Sequence, residues 1–113
     1  MYRVILRQSD FNALDFSVVL AVDVPDTNQL FRLRRYNGKS HEHTNHIEGD
    51  VFYDFHVHYA TERYQETGAR EDAFAKPSDR FGDWNAALLC MFEDCGFEAP
   101  EDPQGRLFGE FDL

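Results

Sequence analysis

Five histidines stand within eighteen residues, at His41, His43, His46, His56 and His58, and the rest of the 113-residue chain has none. Imidazole changes charge near neutral pH and in its neutral form binds transition metals, so such a cluster suits proton transfer or metal ligation. The segment Val51-Phe52-Tyr53-Asp54-Phe55-His56-Val57-His58-Tyr59 alternates like a β-strand, whose side chains point to opposite faces with a period of two. Val51, Tyr53, Phe55, Val57 and Tyr59 make the core face, while Asp54, His56 and His58 line the other. The polar stretch His41-Glu42-His43-Thr44-Asn45-His46 is expected to be a loop leading into this strand, where functional groups commonly sit over a rigid sheet.

Three uses of these residues are open. The leading one is metal-independent RNA cleavage, with one histidine as base, a second as acid and an arginine clamping the phosphate. Its candidate catalytic set is His56 and His58, His43 from the loop, and Arg32 and Arg34 from a neighbouring strand. The second is a divalent metal site, zinc or a similar ion, on His56 and His58 with Asp54 or a loop histidine completing the shell. His41-Glu42-His43 is not the helical H-E-x-x-H pattern, so the spacing permits a metal without specifying one. The third is non-enzymatic: an acidic protein that covers a basic, nucleic-acid-binding surface of a partner, using acids at positions 93, 94, 98, 101, 102, 110 and 112 as a phosphate mimic.

Net charge is −10, distributed unevenly: residues 1–40 carry six Lys/Arg against four Asp/Glu, and residues 41–113 carry five against seventeen. Such a field repels phosphate backbones, which excludes a general nucleic-acid binder unless a local basic patch such as Arg32, Arg34, Arg35 and Lys39 offsets it. A hydrophobic content of 42%, with eleven Phe, predicts a folded chain with a core of its own. No apolar run has the length of a membrane span and no signal-peptide core is visible, so a cytosolic protein without a membrane partner is expected. Cys90 and Cys95 are expected as free thiols in one helix, five residues apart and pointing in different directions.

The elements that must hold the histidines follow from the pattern. Tyr2 to Arg7 and Phe16 to Val24 read as strands, and Pro25 to Asn28 as a turn. Gln29 to Tyr36 follows as a third strand, with Phe31 and Leu33 towards the core and Arg32 and Arg34 on the opposite face. Asn37-Gly38 is a turn, Thr61 caps a short helical piece that Gly68 ends, and 69–78 is a connection. Trp84, Ala87, Leu88, Met91, Phe92 and Cys95 form one apolar stripe of a helix over Asp83 to Cys95, with Asp83 as N-cap and Gly96 as C-cap. The expected fold is α+β: an antiparallel sheet of about four strands, one main C-terminal helix packed on one face, and the histidines pointing to the open face. Residues 1–96 form the single domain and 97–113 an acidic C-terminal tail.

Arg35-Tyr36-Asn37-Gly38, His43-Thr44-Asn45, His56-x-His58, Thr61-Glu62 and the Trp84 helix ending near Cys95 together resemble a group of small uncharacterised bacterial, plasmid and phage proteins with an H-x-N…H-x-H core. Over residues 30–96 the pattern is loosely similar to short His-rich toxins of toxin–antitoxin pairs. What this resemblance implies is a defence, anti-defence or toxin setting, in which a cognate antitoxin is a candidate partner beside the RNA or basic protein surface expected from the residues themselves. It supplies no catalytic residues.

Overall fold

The β-branched, apolar run Phe16–Asp23 becomes the most buried long strand of the computed structural model, which describes residues 1–96. This strand, β2, is buried on both faces and pairs antiparallel with β1 (Tyr2–Gln8) on one side and β3 (Leu30–Asn37) on the other. Beyond β3 the chain makes an excursion through a small hairpin, β4 (His43–Thr44) and β5 (Val51–Phe52), before returning as β6 (His56–Tyr59) alongside β3. A short helix, α1 (Glu62–Glu66), leads to β7 (Phe74–Pro77), and α2 (Trp84–Cys95) ends the described part. The main sheet is antiparallel with the order β1-β2-β3-β6-β7, and β4-β5 is a separate two-stranded flap. The α+β architecture is as expected.

The helices obey their local signals. Asp83 accepts a hydrogen bond from the Ala86 N–H at 2.7 Å and so satisfies an N-terminal donor of α2, while Gly96, at φ 78°, closes the helix in the left-handed conformation. Thr61 caps α1 through the Tyr64 N–H. Leu88, Met91 and Phe92 of α2 pack with Phe16, Val18, Leu20, Tyr36 and Val57 on one side of the sheet. Tyr36 and Phe81 rings meet at 5.9 Å in the same layer. Cys90 and Cys95 are both free thiols in α2.

Four expectations change. The sheet has five strands, because β7 lies within what reads as a connection; it is short, ends in Pro77 and sits at the sheet edge, where a missing N–H is tolerated. The expected strand over Val51 to Tyr59 is broken, and its first two residues pair instead with His43 and Thr44. Val51 and Tyr53 are therefore 54% and 50% exposed, not core, although Phe55, Val57 and Tyr59 do face the helix side. His43 belongs to a strand, not a loop. Finally, the histidines do not point to an open face: His56 and His58 are 0% and 2% exposed, buried beneath the flap. The acidic tail lies outside the described residues, and no helix among those described is long and apolar enough to cross a membrane.

Candidate metal centre

Period-two alternation puts His56 and His58 on the sheet face away from α2, and their antiparallel partners on β3 are Asn37 and Arg35. The flap brings His43 over them. Its ring centroid lies 5.6 Å from that of His56 and 5.0 Å from that of His58, which are themselves 4.8 Å apart. One nitrogen of each ring can be chosen so that all three lie within 4.8 Å of one another. Phe52 lies tilted against His43 at 5.4 Å and edge-on to His56 at 5.7 Å, and gives the group an apolar cover.

Each of these rings has its other nitrogen tied to an oxygen acceptor. The Nδ1–H of His56 donates to the Asp54 carbonyl at 2.7 Å, and the Nδ1–H of His58 donates to the Asp72 carbonyl at 2.7 Å. His43 uses Nε2, which donates to Asn45 Oδ1 at 2.8 Å. The direction of this last bond follows from the Asn45 amide itself, whose Oδ1 accepts the Ala75 N–H at 2.9 Å and whose Nδ2 donates to the Ala75 carbonyl at 2.6 Å. Asn45 thereby continues the ladder past the free edge of β7 and anchors His43 to it. In all three rings the remaining nitrogen is left as a lone pair, the form that binds a metal.

Burial reinforces this state. Loss of solvent lowers the His56 pKa to about 4, helped by the charges of His43, His41 and Arg35. The same desolvation, together with the neighbouring Arg35 guanidinium, lowers His58 to about 2. Among the described residues, the buried side-chain polar atoms without a hydrogen-bond partner are Arg35 Nε, Asn37 Oδ1 and His56 Nε2, all from the two strands that frame the cluster. Buried polar atoms are ordinarily satisfied, so three orphans at one place call for a partner there, a water or an ion. Arg35 and Asn37 also direct donors at His58 Nε2, at 3.3 and 3.4 Å. Both contacts are long, hence weak enough to yield to a metal ion.

The structure separates the other candidates. Asp54 contributes only its backbone carbonyl, and its exposed side chain is not in the cluster. Arg34 is on the opposite face, where it lies over the Tyr59 ring at 4.8 Å and near Asp94. Arg32 is on the histidine side, and so is Arg35, three residues later instead of two. A β-bulge explains this: Leu20 pairs with Arg34 and Ala21 with Arg32, so Leu33 is the extra residue and the alternation of β3 slips by one. His41 is exposed but its ring meets His56 edge-on at 5.6 Å, and His46 is an exposed flap residue. Arg35, Asn37, Asn45 and the Asp72 carbonyl were not foreseeable as site groups, although the first three stand within the short motifs Arg35-Tyr36-Asn37-Gly38 and His43-Thr44-Asn45. Of the described acids proposed as a phosphate mimic, Glu93 is exposed, whereas Asp94 is engaged by Arg80 and Tyr36.

No protein-family model matches the chain, and no curated protein or solved structure matches it either.

Proposed function

We propose that His43, His56 and His58 hold one divalent transition-metal ion, zinc first, in a three-histidine centre with open coordination positions. The observation that carries this reading is the hydrogen-bonding of the rings: each is oriented by an oxygen acceptor on one nitrogen, leaving the other as a ligand. Ligands sharing a tetrahedral zinc at about 2.0–2.1 Å sit roughly 3.3 Å apart. The cluster, whose ligand atoms lie within 4.8 Å, therefore closes on an ion by small ring movements. Three protein ligands, one short of a closed structural site, is the arrangement of a catalytic zinc, and the ion would supply Lewis acidity and, from a bound water, a hydroxide at neutral pH. His41, exposed beside His56, is placed to exchange protons with solvent.

The same geometry weighs against His56 and His58 as a metal-free acid–base pair. That chemistry needs one imidazolium near neutral pH, and burial keeps both rings neutral there. The cluster thus supports a metal-dependent hydrolase over the metal-independent ribonuclease, and RNA stays a substrate to be tested.

Purified protein dialysed against metal-free buffer and titrated with zinc is expected to take up one ion per chain and to melt at a higher temperature. Cobalt(II) in its place is expected to give the intense visible bands of a four- or five-coordinate site. His43→Gln, which alters a half-buried ligand on the flap, should lower the affinity without unfolding the sheet. A chain that binds no ion under excess zinc, with an unchanged melt, removes the proposal.

A further inference from the structure

The face that carries the histidines continues beyond the flap across β3, β2 and β1. Antiparallel pairing lays two cross-strand rows along it: Ile5, Val19, Arg35 and His58 in one, and Arg7, Ser17, Asn37 and His56 in the next. The uncovered part of these rows, with Leu30 and Arg32, lines a cleft of about 390 Å³. Its floor is apolar, made by Ile5, Val19 and Leu30, and its polar groups are the guanidiniums of Arg7, Arg32 and Arg35 and the hydroxyl of Ser17. The bulge at Leu33 is what turns both Arg32 and Arg35 towards it.

We infer that this cleft binds a phosphate ester of nucleotide size, with the phosphate between Arg7, Ser17 and Arg35 and the flat organic part on the apolar floor. Charge supports the assignment. In a chain of net charge −10, the three guanidiniums that line the cleft, Arg7, Arg32 and Arg35, equal in number the carboxylates paired with them, Asp15, Glu71 and Asp72, so the cleft lacks the negative excess of the rest of the chain. Donors from three strands converge on one spot, and planar guanidiniums match phosphate oxygens through paired hydrogen bonds. The volume falls in the range of small-molecule sites. Arg35 also ties the cleft to the cluster, since its terminal nitrogen lies 3.3 Å from His58 Nε2. With strands about 4.8 Å apart, a phosphate over β2 and β3 lies within about 10 Å of β6, a distance that a sugar phosphate spans.

As a substrate site for the metal centre the cleft rests on the proposed function, but binding of the ester does not. The test is a titration of the whole chain with adenosine 5′-monophosphate, adenosine and inorganic phosphate, each with the protein zinc-loaded and chelator-treated, followed by backbone amide NMR shifts. The expected result is saturable binding of the monophosphate in both forms, with shifts centred on Val19, Ser17 and Arg35, and weaker binding of adenosine or phosphate alone. Arg7→Gln should weaken monophosphate binding about tenfold. Arg80→Gln, on the helix side of the sheet, should leave it unchanged. Monophosphate that binds no better than inorganic phosphate overturns the role of the floor and with it the inference. So does the absence of binding, or an Arg7→Gln chain that is folded and binds as tightly as the parent. Zinc uptake without nucleotide binding defeats this inference alone, and nucleotide binding without zinc uptake supports it while defeating the metal centre.

Discussion

Asn45 meets all of its hydrogen-bonding capacity: Oδ1 accepts from His43 and the Ala75 N–H, and Nδ2 donates to the Ala75 carbonyl and Asp50. Removing it leaves buried strand-edge groups unpaired and frees the His43 ring. Asn45→Ala is therefore expected to cost about 1–3 kcal/mol in stability, read from denaturant melts, and to weaken zinc binding about 10- to 100-fold. Normal zinc affinity in a folded variant would show that His43 needs no such anchor. Asp94 has a comparable part on the other face. It receives both terminal nitrogens of Arg80 at 2.9 Å and the Tyr36 hydroxyl at 2.6 Å, joining α2 to β3. The hydrogen bond from Arg80, followed by that from Tyr36, holds its pKa below the ordinary carboxylate value. A depressed pKa in the folded state contributes stability above the unfolded value, near pH 4, that disappears as pH falls through the folded one. Asp94→Asn should thus lose about 1–3 kcal/mol at pH 7, with the gap to the parent closing below about pH 4. A gap independent of pH would place the loss in packing instead of charge. Of these residues only the histidines were legible from their types; Asn45 and Asp94 act through partners 30 and 58 positions away in sequence.

The elements that stood out in the sequence are those whose own residues contain the whole signal. The stripe and both caps of α2 lie within Asp83 to Gly96, and the strands β1 and β2 carry their alternation internally. What stayed hidden depends on pairing. Alternation from Val51 to Tyr59 is real, but it does not reveal that β5 leaves the sheet to join β4, or that Leu33 is an extra residue which moves Arg35 to the histidine face. The flap is the element that turns two exposed strand histidines into a buried cluster. This break has a direct check: Val57→Asp buries a charge against Phe16, Phe81 and Leu88 and should abolish folding, whereas Val51→Asp, on the exposed part of the flap, should change stability by no more than about 0.5 kcal/mol. Similar losses in thermal melts of the two variants would mean that 51–59 is a single strand after all. His56→Ala empties a fully buried position between His43, His58 and Phe52 and is expected to lower stability as well as metal binding.

At the scale of the molecule the two sides of the sheet divide the work. One is closed by α2 and supplies the core, while the other is half covered by the flap and half open as the arginine-lined cleft. A strongly acidic chain can bring cationic groups together there because Arg7 from β1 and Arg32 and Arg35 from β3 reach one face across β2, a juxtaposition that a count of charges along the sequence does not disclose. On the proposed reading this patch takes a phosphate beside the group of three histidines, two of them buried, while the acidic surroundings disfavour long, regularly spaced phosphate tracks. That balance fits a small phosphate ester or a short single strand better than duplex nucleic acid. Incubation with RNA discriminates the chemistries directly. If the histidines are ligands, any cleavage appears only with added zinc or a related ion, is lost in chelator, and is restored to the parent chain but not to His43→Gln by returning the metal. Cleavage that persists at full rate in chelator, follows a bell-shaped pH profile and falls by orders of magnitude in His56 or His58 variants shown to be folded would return those two residues to the roles of acid and base, with the metal reading abandoned.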